Sequence, residues 1–144
     1  MADAVTNKYK YKLATGAIVP GTTDIRMGLL KTFAGTTNVP DINFIADMEA
    51  HADFAELTAS GYARVAITSA TATEDDTNDW ALIDAADVAF SAIATGETIV
   101  GYFLFIHTGS DATASVLQMG SLTSTPTNGG TVTITTANGL TKLV

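Results

Sequence analysis

The chain contains no cysteine. Disulfides, thiolate metal sites and cysteine nucleophiles are therefore excluded, and either redox compartment is compatible with it. Charge is also scarce: 15% of residues are charged, where an average soluble protein has roughly a quarter. Positive charge is the scarcest, with seven Lys and Arg against fifteen Asp and Glu and a net charge of −8. A body this acidic lacks the Lys and Arg that phosphate contacts need, so no nucleic-acid partner is expected. Long apolar runs are missing too. "TIVGYFLFI", Thr98 to Ile106, has about half of the roughly 18 residues that a membrane-spanning helix requires, so no membrane partner is expected. The start, MADAVTNKYKYK, has no apolar stretch of the kind a secretory signal carries.

What is present is the material of one β-rich domain. The 144 residues are 47% hydrophobic, enough for a single core. Alanine and threonine occupy many positions that charges normally fill. Such a surface suits a protein that hides part of itself against partners. The few charges are unevenly placed. Residues 1–31 carry five bases against two acids, whereas residues 32–141 carry Arg64 alone against thirteen acids. A basic start on an acidic body is suited to an acidic surface, on a neighbouring copy or on another protein.

Residues 1–22 read as an extended N-terminal arm and residues 23–144 as the domain. In "KYKYKL", Lys8 to Leu13, charged and apolar residues alternate with period two, as in an exposed strand. Gly16, Pro20 and Gly21 then break the pattern. One reading is an edge strand with its turn. The other is an arm that docks on a partner by strand addition, using Lys8, Tyr9, Lys10, Tyr11 and Lys12, with the two tyrosines as anchors. The body is patterned for strands in "DIRMGLLKT", "GYARVAIT", "WALID", "DVAFSAI", "TIVGYFLFIHT", "ASVLQMGSL", "TVTITT" and "NGLTKLV". "TIVGYFLFIHT" is apolar on both faces, which predicts a central strand. "INFIADMEAHADF", Ile42 to Phe54, has helical spacing through Ile45, Met48 and Ala52. The expected fold is mainly β: an antiparallel β-sandwich of roughly seven to eight strands with one short helix.

Candidate chemistry is thin. "TATEDDTNDWALID" sets Glu74, Asp75, Asp76, Asp79 and Asp84 around the only tryptophan, Trp80. A partial calcium site on Asp75, Asp76 and Asp79 is one reading. The stretch lacks the glycine and the distal bidentate Glu of a continuous calcium loop, and a solvated turn between two strands fits it better. Neighbouring acids on one turn do not face each other across a cleft as glycoside hydrolysis requires. His51 and His107 stand apart with no metal-binding spacing. No G-x-S-x-G stretch occurs, and "NGGT" at Asn128 to Thr131 reads as a tight turn, too short to cradle phosphate. No catalytic residue, cofactor site or metal site is assigned. That leaves a structural or interaction protein as the leading expectation.

The order of the segments carries a resemblance. "DIRMGLLKT", "FIADMEAHADFAEL", "SGYARVAIT", "EDDTNDWALIDAADVAFSAI", "ETIVGYFLFIHTGSDATASVL" and "TNGGTVTITTANGLTKL" follow one another over residues 24–143. In this the chain resembles a family of small virion structural proteins of tailed bacteriophages. No single motif is specific; the series carries the likeness, and the N-terminal arm lies outside it. The resemblance implies a non-enzymatic, β-rich virion component, foremost a capsid decoration (cement) protein on the capsid surface. Its implied partners are the major capsid protein, copies of itself, or both. A tail, neck or fibre-base component is the alternative within the class. A carbohydrate-binding β-sandwich using Trp80, Tyr62 and the Asp/Asn loop is the alternative outside it.

Overall fold

The computed structural model describes residues 3–77, 80–136 and 141–143. The fold is mainly β and its strand pairings are antiparallel, as expected. Its centre is a sheet built on three long strands: β2 (Ile25–Phe33), β8 (Thr98–Ile106) and β9 (Val116–Pro126). The short strands β1 (Asp3–Val5), β3 (Phe54–Glu56) and β4 (Val65–Ala66) complete it. The order is β1-β9-β8-β2-β3, with β4 pairing the first part of β2. Two smaller sheets pair β7 (Val88–Phe90) with β10 (Val132–Ile134), and β6 (Trp80–Asp84) with both β5 (Thr71–Asp75) and β11 (Thr141–Leu143).

The doubly apolar strand β8 lies between β2 and β9, and alternation divides its side chains between two cores. Tyr102 and Leu104 join Met27, Leu29 and Leu117 in one cluster, closed by Val88 and Phe90 of β7 and by Ile93. Phe103 and Phe105 join Leu30, Val116 and Met119 in the other, closed by Val39, Ile42, Ile45 and Met48. Val39 comes from a 3-10 turn, Val39–Asp41, which Ile42 follows as the C-cap, and Ile45 and Met48 come from the helix α2, Ile45–Ala50. Burying Phe103 requires a glycine opposite it. Gly28 pairs with Phe103 across β2 and β8, and a Cβ there would overlap the Phe103 ring.

Two local expectations are corrected. The N-terminal stretch is not extended: Asn7–Ala14 is a helix, α1, so the fold has two helices where one was expected. Thr6 is the reason at its start. Its buried hydroxyl accepts the Tyr9 N–H at 3.0 Å as an N-cap and donates to the Val116 carbonyl at 2.7 Å. At its end Gly16 takes φ +67°, and the Ala17 and Gly16 N–H groups bond back to Lys12 and Leu13, a Schellman closure. The alternation that suggested a strand also sets Tyr9 and Leu13 four residues apart, one helical face, and both pack on the first cluster. The second correction concerns Ile42 to Phe54. Only Ile45–Ala50 is helical, because Phe54 opens β3 and packs on Phe33 with ring centroids 5.8 Å apart.

Candidate functional site

The proposed docking residues are divided by α1 between inside and outside. Tyr9 is 2% exposed and belongs to the first core cluster, which corrects its assignment as a partner anchor. Tyr11 is 64% exposed. The Lys8 ammonium lies 4.9 Å from the Phe44 ring centroid, a cation–π contact within the chain. Lys10 is exposed and Lys12 half-buried in the last turn of the helix, where a cation complements the helix dipole.

The acidic stretch forms the β5–β6 hairpin, with Asp75 paired to Trp80 across it. Glu74, Asp76 and Thr77 are exposed, as a hydrated turn requires. Asn78 and Asp79 lie outside the described residues, as does the side chain of Trp80, so the calcium reading of Asp75, Asp76 and Asp79 falls partly outside them too. Among the described residues no group of three or more His, Asp or Glu is arranged to hold a metal ion. His51 accepts the Asp53 N–H at Nδ1 and packs on Phe54; the edge of His107 meets Phe105.

Two polar constellations organise the body instead. The first centres on Arg64. Its Nε donates to Glu56 at 2.8 Å, its Nη2 to Glu56 and Asp111, and its Nη1 to Asp111. Glu49 stands at 3.4 Å. The guanidinium also lies 5.7 and 5.3 Å from the ring centroids of Phe103 and Phe105. Tyr62 extends the network: its hydroxyl donates to Glu56 at 2.6 Å and accepts the Leu29 N–H at 2.9 Å. That N–H lies in the gap between β3 and β4, so a side chain completes the ladder there. The hydrogen bond to Glu56 raises the Arg64 pKa further against the effect of its own burial, and burial with the Glu56 charge raises that of the Tyr62 phenol. Glu49 is raised by burial and by its neighbours Asp111 and Glu56. Every nitrogen of the guanidinium is engaged within the chain, so the group acts as a tie between α2, β3, the segment before β4 and the loop after β8.

The second constellation centres on Glu97. One carboxylate oxygen accepts the Lys31 ammonium at 2.6 Å and the Thr58 hydroxyl at 2.8 Å; the other accepts the Thr58 and Ala59 N–H groups, each at 2.7 Å. Burial opposes the charge, but these four donors prevail and hold the carboxyl at about 2. A third tie lies at the edge. Burial raises the Asp3 pKa, and the Tyr102 hydroxyl beside it accepts the Gln118 amide at 2.7 Å.

The sequence reading missed both constellations as sites. A signal existed for the first: Arg64 is the lone base among thirteen acids in residues 32–141. Its carboxylates come from positions 49, 56 and 111, a convergence that only the fold reveals. Tyr62, a candidate sugar platform, has its hydroxyl committed to this network and its ring packed on Phe90. No protein-family model matches the chain, and neither the curated proteins nor the solved structures yield a match.

Proposed function

We propose that the chain is a structural component of a tailed-bacteriophage virion, a capsid decoration protein that binds the outer surface of the major capsid protein lattice and stabilises the head. The observation that carries this reading is the use the fold makes of its charges. Arg64 and Glu97 are satisfied by partners within the chain and tie distant segments together. Chemistry on a substrate calls for polar groups left poised toward a ligand; these are spent on holding the body. A compact β body locked in this way, sparing in charge and rich in threonine, suits a part that adheres to a lattice. The ordered likeness over residues 24–143 supplies the class.

Tyr11 and Lys10 remain exposed on α1 and form the docking patch in this reading, presented by a helix and not by an extended arm. The test is add-back. Particles lacking the protein are mixed with purified chain, and binding and heat resistance of the heads are measured. Saturable binding that raises the temperature of head disruption supports decoration. Binding confined to tails or necks, or no binding, refutes it.

A further inference from the structure

Among the described side chains, the bases divide by whether the fold uses them. Arg26 pairs with Asp24, Lys31 with Glu97, and Arg64 with Glu56 and Asp111. Lys8, Lys10 and Lys12 meet no carboxylate among the described residues, and all three lie on α1. Residues 4–23 contain no Asp or Glu. The same stretch holds the large hydrophobic side chains left exposed among the described residues, Tyr11 at 64% and Val19 at 52%.

Successive residues turn by about 100° around a helix. With Tyr9 and Leu13 turned to the core, Tyr11 falls on the outer crest, Lys10 on one flank and Lys8 with Lys12 on the other. Lys10 is exposed, and Lys8 and Lys12 are half-buried. An exposed aromatic ring with charges around it has the make-up of a protein-contact hot spot and its rim. The sign of the charges calls for an anionic partner. Anionic lipid needs clusters of roughly four to eight Lys or Arg, and nucleic acid a basic domain; α1 offers three lysines on a chain of net charge −8. We propose that this face of α1 docks on a protein surface that presents carboxylates. The Tyr11 ring sits at the centre of the contact, and the lysine ammonium groups meet Asp or Glu side chains of the partner. The proposal names the chemistry of the α1 docking patch and rests on the virion reading for the partner's address, the outer face of the capsid.

Binding of the full chain to heads that lack it, at graded salt, tests this. Raising the salt from about 50 to about 500 mM weakens binding by about tenfold or more. The double change Lys10→Gln, Lys12→Gln weakens it by a similar factor at low salt and flattens the salt dependence, with an unchanged circular dichroism spectrum. Arg26→Gln removes a positive charge already paired to Asp24 and changes binding by less than about twofold. A measurement on the unaltered chain guards against misfolded variants. Heads whose surface carboxylates are amidated with ethanolamine by carbodiimide, and which stay intact, no longer bind it. Binding to heads that is indifferent to salt, to both lysines and to amidation overturns the inference and leaves the virion reading standing. Heads that bind no chain overturn both. Lysine-dependent binding found only on anionic vesicles, on single-stranded DNA or on a second copy of the chain overturns the inference equally.

Discussion

Replacing Glu97 by glutamine keeps the shape of the side chain and removes its charge. Lys31, the Thr58 hydroxyl and two backbone N–H groups all donate to this carboxylate. A glutamine has one acceptor oxygen, and its amide turns N–H groups toward other donors, so part of the set loses its acceptor. The pKa gives a second route to the magnitude. Depression from 4.5 to about 2 corresponds to about 3 kcal/mol at neutral pH. The side chain is 19% exposed, and solvent screening brings the figure to about 2 kcal/mol. The sign follows from a folded pKa below the unfolded one. The stabilisation is complete above about 4.5 and is lost as pH falls through about 2. Urea unfolding of wild type and Glu97→Gln, followed by circular dichroism between pH 7 and pH 2, isolates the group, because other acids titrate alike in both. The expected gap is about 2–3 kcal/mol at pH 7, constant to about pH 4.5 and mostly closed near pH 2. A gap below about 0.5 kcal/mol, or one independent of pH, refutes the reasoning.

Three further outcomes are expected. Arg64→Ala leaves Glu56, 11% exposed, without its counter-ion and destabilises by about 2–4 kcal/mol; Arg64→Lys recovers less than half, since an ammonium cannot serve two carboxylates in fork geometry, and denaturant midpoints measure both. Tyr9→Ala empties a buried site and costs about 3 kcal/mol, with faster proteolysis of the N-terminal segment, whereas Tyr11→Ala stays within about 0.5 kcal/mol. The double change Glu74→Gln, Asp76→Asn on the exposed hairpin shifts stability by less than about 1 kcal/mol by thermal denaturation.

How legible the fold was depended on the range of the interactions that set it. The alternation of Phe103 and Phe105 against Tyr102 and Leu104 is local, and the central place of β8 followed from it. The turn leading into β6 followed from its Asp residues, but β5, Thr71–Asp75, was not legible as a strand, because two of the acids that suggested the turn, Glu74 and Asp75, lie on it. "KYKYKL" failed because period two over six residues does not distinguish a strand from a helix. The deciding residue, Thr6, stood just before the pattern, and its second bond reaches Val116. "INFIADMEAHADF" failed at its end because the pull on Phe54 comes from Phe33. The candidate site was the least legible part. The Arg64 carboxylates and the donors around Glu97 are separated by up to 66 positions along the chain, and no local spacing encodes them.

The central claim is that the chain belongs to the virion as a decoration of its head. Copy number per particle tests it most directly, by quantitative mass spectrometry of purified virions against the major capsid protein. The account predicts parity with the capsid protein or a fixed, lattice-related fraction of it. A handful or a few dozen copies contradicts the head assignment and moves the chain to neck, tail or fibre base. Absence from purified particles contradicts the virion reading altogether.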